Sequence, residues 1–466
     1  AERRMNLVEF HTEHRVTADG LPVATVDPAL LRRGELHAVH MVPIISHLNG
    51  MGQRGVYEAF PELRGKGSAA VYKTPTADLV APCASQPRLV EVLAGWMRAL
   101  AATASVRDIS CWLGELRQHC DCEACRQTGQ FALEARAFVA AWRLARQTVP
   151  DLRIRVLLTQ GSYDSNDRVL AEIPPEVGVT YYDGGRTYDS SPQPMIYPLL
   201  EDYAANGGWL GCYPQLTPSW RIVSPWSCPH FIRFRLTEFV DKRLSCLAGY
   251  VVPDNRLFDV QVSAAAEWSW NAHGRDERAF MTAWATRQGF DRPDAVATWA
   301  TTLGPAAWDL YGARFVERYL FHPQSLASLL TTRQALPYGQ AFLAQIPDAA
   351  RLHANRDACA AALTLALEVG SPAMVAESRA VLAYYDMVIA LGRLCDVLAA
   401  NRQPAAARRA ALQEHLNRLA LAGCQNQDAL RDWERAVAVG SGGGRLRESI
   451  EATAGTVHAL AKALAP

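Results

Sequence analysis

Two carboxylates follow short apolar runs, one at Cys111-Trp112-Leu113-Gly114-Glu115 and one at Tyr181-Tyr182-Asp183. A carboxyl pair suits cleavage of a glycosidic bond, in which one group protonates the leaving oxygen and the other acts as base or nucleophile. Glu115 and Asp183 are therefore the catalytic candidates. Plainer roles are open to both: Glu115 pairing with Arg117 beside the following helix, and Asp183 as a structural cap.

Groups able to bind a sugar ring recur at the ends of the same runs. His11, Glu13, His47 and Asn49 can exchange hydrogen bonds with hydroxyls. Trp112, Tyr181, Tyr182, Trp209 and Tyr213, with Trp220 and Trp226 beyond, offer faces on which sugar C–H groups stack. Glu267, in Glu267-Trp268-Ser269-Trp270-Asn271, is placed at the rim of the same site, while packing between helices accounts for the two tryptophans. His11, Glu13 and His14 could instead hold a metal, or the histidines could simply be packed.

Cys120-Asp121-Cys122-Glu123-Ala124-Cys125 follows Glu115 closely. Three thiolates at this spacing suit a structural zinc ion if His119 or Cys111 supplies a fourth ligand; a reduced loop with three thiols is the alternative. Such a zinc would pin the loop carrying Glu115 and would not activate water. The catalytic chemistry itself needs no cofactor.

These residues must be positioned by a repeated α/β pattern. Apolar runs at 6–10, 37–45, 108–113, 154–159, 177–182, 209–213 and 246–251 read as seven buried parallel strands. Between them, Leu89, Val92, Leu93, Trp96 and Leu100 share one helical face, as do Phe131, Ala135, Phe138, Trp142 and Ala145. The expected fold is a (β/α)8 TIM-type barrel over 1–275, with its catalytic groups at the C-terminal ends of the strands. Seven strands are one short, so this reading places the first strand upstream of Ala1; a doubly wound open sheet is the alternative. From 276 to 466 the strand signal stops, and Ala-rich and Leu-rich segments predict an all-α helical domain.

The chain has 466 residues, of which 49% are hydrophobic and 20% charged, enough to bury a large core. Lys plus Arg and Asp plus Glu both number 47. No basic excess points to nucleic acid or an anionic membrane, so the expected partner is neutral or small, which suits the carbohydrate substrate suggested by the carboxylates and aromatics. The eleven scattered cysteines read mostly as buried thiols, which favours a reducing, cytoplasmic setting, although an export signal could lie outside this sequence. Gly440 to Gly444 lacks the Lys-Ser or Lys-Thr ending of a phosphate loop and reads as a turn. Oligomeric state is not legible.

The order Arg4-Met5-Asn6-Leu7-Val8-Glu9-Phe10-His11, then Val42-Pro43-Ile44-Ile45-Ser46-His47, then Leu113-Gly114-Glu115 resembles the barrel of the β-N-acetylhexosaminidases, glycoside hydrolase family twenty, over about residues 1–275. The resemblance implies an exo-acting glycosidase with Glu115 as general acid, and with Trp209 and Tyr213 in the region of its aromatic sugar contacts. That family carries Asp before its acid to orient the substrate's acetamido group; this chain has Gly114, which argues against a substrate-assisted mechanism. A barrel followed by a helical domain, with an acid after the fourth strand and a carboxylate after the sixth, is also similar to the α-glucuronidases, whose inverting mechanism uses a protein-supplied base, and Glu267-Trp268-Ser269-Trp270-Asn271 followed by a helical domain resembles uncharacterised bacterial proteins between these families. Gly114 motivates a second expectation, a carbohydrate-binding relative that kept the pocket and lost hydrolysis.

Overall fold

The computed structural model describes residues 5–103, 105–182, 192–218, 223–251, 255–400, 405–437 and 443–464. It divides into two compact units. The first comprises Ala1–Thr187, Met195–Pro214 and Phe239–Ala248; the second comprises Tyr188–Pro194, Gln215–Glu238 and Gly249–Pro466.

Among the described residues, the first unit is built on seven parallel strands: β1 (Leu7–His11), β2 (His40–Ile45), β3 (Asp108–Trp112), β4 (Arg153–Leu158), β5 (Gly178–Tyr181), β6 (Leu210–Cys212) and β7 (Cys246–Leu247). Their order across the sheet is their order along the chain. A doubly wound sheet reverses direction part-way, so that alternative is set aside. The sheet is a parallel half-barrel, consistent with a (β/α) barrel, with helices α1 (Pro28–Leu36), α2 (Pro87–Ala101), α3 (Glu123–Thr128), α4 (Gln130–Ala145), α5 (Asn166–Ala171) and α6 (Pro198–Ala205) between strands.

Strand composition explains burial. Ile154, Val156 and Leu158 alternate with Arg155 and Leu157 on β4, and all five are buried, as befits a parallel strand covered on both faces. The apolar stripes of α2 and α4 anticipated from the sequence are buried throughout and pack against each other. Fully burying such a side chain contributes about 1.5–3 kcal/mol. Their indoles also find acceptors: Trp96 Nε1 donates to the Arg15 carbonyl at 2.9 Å and Trp142 Nε1 to that of Leu152 at 2.8 Å.

The sheet curls, and one side chain demonstrates it. In a flat sheet β1 and β4 would lie about 14 Å apart, three intervals of roughly 4.8 Å. Yet the Arg155 guanidinium on β4 reaches Glu9 on β1 at 3.1 Å and the Cys246 sulfur on β7 at 4.0 Å. Glu9, Ser110 and Arg155 therefore share a concave face, while Ile109, Cys111, Val156 and Val179 point the other way.

Two antiparallel ribbons decorate this unit, one pairing Glu13–Val16 with Pro22–Thr25 and the other Val71–Lys73 with Asp78–Val80. The second unit holds the long helices Pro293–Gly312, Ala349–Val369, Pro372–Ala399, Ala405–Val437 and Gly443–Leu464. Leu430, Trp433, Leu446 and Ile450 form part of its core with Ala376 and Ala380. Among the described residues no helix is long and apolar enough to cross a membrane.

Candidate active site and a thiol cluster

The C-terminal ends of β1, β2 and β3 bring three rings together. His11 meets the Trp112 indole edge-on at 5.2 Å between centroids, and His47 tilts against it at 4.7 Å. Trp112 is oriented by its own Nε1, which donates to Ser110 Oγ at 3.0 Å. His47 Nδ1 lies 2.8 Å from the Leu113 carbonyl. A carbonyl only accepts, so Nδ1 carries the proton, and in the neutral ring Nε2 is left as an acceptor. Burial, with Arg54 nearby, pushes the His47 imidazole down to about 4, and burial and Arg54 also lower that of His11. Both rings are neutral near pH 7.

Arg54 was not singled out in the sequence, because it sits in a short 3-10 turn without periodicity. It donates to the His47 carbonyl at 3.0 Å and to Ser46 Oγ at 2.7 Å, and burial lowers its pKa to about 10. Asn49 is buried and donates to Gln118 Oε1 at 3.1 Å; Gln118 in turn donates to the carbonyls of Ala70 and Leu79 at 2.7 and 2.8 Å. Asn49 thus anchors the loop after β3.

Glu115 stands on that loop, half-buried, and desolvation alone raises its pKa. Among the described residues it has no ion-pair partner: Arg117, the partner considered from the sequence, pairs with Asp164 at 2.9 Å. The residue before it is held at both ends. Gly114 N–H donates to Glu134 Oε2 at 2.8 Å, and its carbonyl accepts from Thr159 Oγ1 at 2.5 Å. Gly161 packs so closely that a Cβ there would lie 2.6 Å from the Leu116 carbonyl oxygen. The backbone on either side of Glu115 is fixed by groups from α4 and from the turn after β4.

The other expected sugar contacts separate. Asp183 and Trp220 lie outside the described residues. Glu13 is exposed on the first ribbon, whereas His14 faces inward against Trp96 at 4.8 Å. Adjacent strand residues point to opposite faces, so Glu13 and His14 do not converge on one metal ion. Trp209 precedes β6, at the N-terminal end of the sheet, where the Arg155 guanidinium lies 4.9 Å from its ring centroid. It falls at the opposite end from Glu115. Tyr181 packs toward Tyr197 at 5.7 Å, and Tyr182 is buried just past the same strand.

Tyr213 is buried facing Glu9, within a polar plug that includes Arg155 and Asp108. Burial raises the pKa of Glu9 despite Arg155; burial also acts on Asp108, but its hydrogen bonds from His40 and Arg155 win and lower it. Glu267 belongs to the second unit and pairs with Arg275 at 3.1 Å. There Trp268 is buried, its Nε1 donating to the Arg275 carbonyl at 3.0 Å, whereas Trp270 is largely exposed.

A separate constellation gathers Cys83, Cys120, Cys122 and Cys125, whose sulfurs all lie within 4.8 Å of one another. The fourth member is Cys83, from the loop before α2. His119 instead lies half-exposed, 3.4 Å from Asp121, and Cys111 is buried within β3. The sequence offered little to implicate Cys83, a lone cysteine far upstream in an irregular segment.

No family model matches this chain, and no curated protein does. Solved structures do. One is a GH138 enzyme targeting pectin rhamnogalacturonan II, similar at a TM-score of 0.60 with 10% identity over 98% of this chain and 62% of the other. The chain therefore spans under two thirds of that protein. A mutant Thermobaculum terrenum O-GlcNAc hydrolase matches at a TM-score of 0.43 and 9% identity, covering 93% of this chain and 83% of that one. CpGH84B matches at 0.39 and 9%, covering 91% and 68%. At these identities the likeness to the GH138 enzyme is one of fold.

Proposed function

We propose that this chain is a glycoside hydrolase in which Glu115 protonates the leaving glycosidic oxygen. The observation that carries the reading is the state of Glu115: a half-buried carboxyl past the C-terminal end of β3, with no ion-pair partner among the described residues and a pKa raised by desolvation. A general acid needs to hold its proton near working pH, and desolvation shifts a carboxyl in that direction. The fold shared with the GH138 enzyme supports the same reading.

The wall formed by Trp112, His11 and His47 supplies an aromatic face and, at His47 Nε2, an acceptor for a sugar hydroxyl. Asp183, two residues past β5, is assigned the base or nucleophile role, and the action is assigned as exo-cleavage of a terminal sugar. Gly114 favours a base supplied by the protein over one supplied by the substrate's acetamido group. Terminal N-acetylhexosaminides and glucuronides are the first substrate classes, joined by rhamnogalacturonan II fragments because the GH138 neighbour targets that polymer.

The test compares wild type with Glu115→Gln on aryl glycosides of these classes and on pectic fragments, measuring released phenol or reducing ends. Loss of release by about 10²- to 10⁴-fold in a folded variant is the expected result. Wild-type protein that binds a sugar yet releases nothing would replace the proposal with the non-hydrolytic carbohydrate-binding relative.

A further inference from the structure

We infer that Cys83, Cys120, Cys122 and Cys125 form a structural zinc site with four thiolate ligands. Zinc bound by four sulfurs at about 2.3 Å forms a tetrahedron whose sulfur–sulfur edges are about 3.8 Å. The Cys83 and Cys122 sulfurs are 3.6 Å apart, and no pair of the four exceeds 4.8 Å. That is far beyond the roughly 2.05 Å of a disulfide, and all four are free thiols. Small adjustments of rotamers close the set around one ion.

Groups around the sulfurs are of the kind that steady thiolates. The backbone N–H groups of Lys66 and Cys122 point at the Cys120 sulfur at 3.3 and 3.5 Å, and Ser85 Oγ lies 3.5 Å from that of Cys122. Gln86 Nε2 approaches the Cys83 sulfur at 3.9 Å. Donors aimed at sulfur offset the negative charge that four thiolates leave on a divalent ion, the usual task of groups behind a metal's ligands. Cys83, Cys120 and Cys125 are buried. Four protein ligands leave no open position for water, so the ion is structural rather than catalytic.

Its location gives it a task. Cys83 lies in the loop before α2, while Cys120 and Cys122 end the loop that begins at Gly114 and carries Glu115. The same loop is stitched to residues 66–70: Asp121 N–H donates to the Lys66 carbonyl at 2.8 Å and His119 N–H to that of Ala69 at 3.2 Å. The ion would lock these segments together at the edge of the candidate site.

The experiment needs no substrate, so its outcome is separate from that of the glycosidase proposal. Whole protein purified under reducing conditions is assayed for metal by mass spectrometry, then stripped and titrated with zinc and with cobalt. The expected result is one zinc per chain, a cobalt–thiolate charge-transfer band, sulfur-only coordination by X-ray absorption, and four thiols protected from a thiol reagent until the metal is removed. Cys83→Ser should weaken zinc binding by at least tenfold, while Cys424→Ser, altering an exposed cysteine, should not. Because Cys83→Ser could misfold, the wild-type titration stands alone. Wild-type protein that takes up neither metal, holds iron in zinc's place, or links Cys83 to Cys122 by a disulfide overturns the inference.

Discussion

The Glu134 carboxyl on α4 accepts the backbone N–H of Gly114 at 2.8 Å, immediately before Glu115 in the chain. Its other oxygen accepts from Gln130 Nε2 at 2.8 Å, and the side chain is wholly enclosed. Burial raises its pKa to about 7, although both hydrogen bonds favour the charged form.

Glu134→Gln should destabilise the protein by about 1–3 kcal/mol, because both neighbours are donors and an amide must turn its own N–H toward one of them. The same variant should lower turnover with Glu115 still present, by loosening the backbone that aims it. Denaturant unfolding and kcat measured on the same preparation check both statements.

Since the folded-state pKa of Glu134 is raised, its contribution to stability is present below the unfolded value near 4.5 and is lost as pH climbs through about 7. Unfolding midpoints of the wild type should therefore fall more between pH 5 and 8 than those of Glu134→Gln. Equal slopes would show that Glu134 does not titrate in this window.

A Cβ at position 114 would lie 3.5 Å from both Glu134 oxygens, an ordinary contact. Gly114→Ala should change stability by less than about 1 kcal/mol. Gly114→Asp sets a second carboxyl against an enclosed one and should cost about 1–3 kcal/mol more than Ala. Thermal unfolding of the pair distinguishes them.

On a responsive glycoside, kcat/KM should decline as pH rises through the raised pKa of Glu115, since a general acid works only when protonated. His47→Gln should leave that limb in place and raise KM, because the imidazole is already neutral above about pH 5. Loss of the limb in His47→Gln would transfer the acid role to the histidine.

Arg155→Ala leaves Glu9 and Asp108 enclosed without their cation and should cost about 3–5 kcal/mol. Adding Glu9→Gln should recover part of that loss. Urea midpoints of the single and double variants supply the comparison.

All seven strands and the apolar stripes of α2 and α4 could be placed from the sequence, with ends displaced by a few residues, because continuous apolar runs and helical spacing are local signals. The parallel winding followed from alternation of strand and helix. Ends decided more than they seemed to: β6 is three residues long, so Trp209, read as a sugar platform, lies just before it, at the end away from Glu115. Cys83, Arg54 and Glu134 were missed for a different reason. Each acts through a partner far along the chain or lies in irregular backbone, and a single sequence carries no local mark of such a meeting.

The Glu9–Arg155 contact joins residues 146 positions apart, whereas each strand pairs with its successor in the chain. Pairing of successive strands closes comparatively short loops, but the charge contact has to wait until four strands are wound and the sheet has bent. Until then Glu9 faces the desolvation cost without its cation, so half-assembled sheets gain little by drying their concave face. Completion of the wall and neutralisation of its interior thus become one late, cooperative event, and an intermediate stalled before β4 should stay wet and open to proteases.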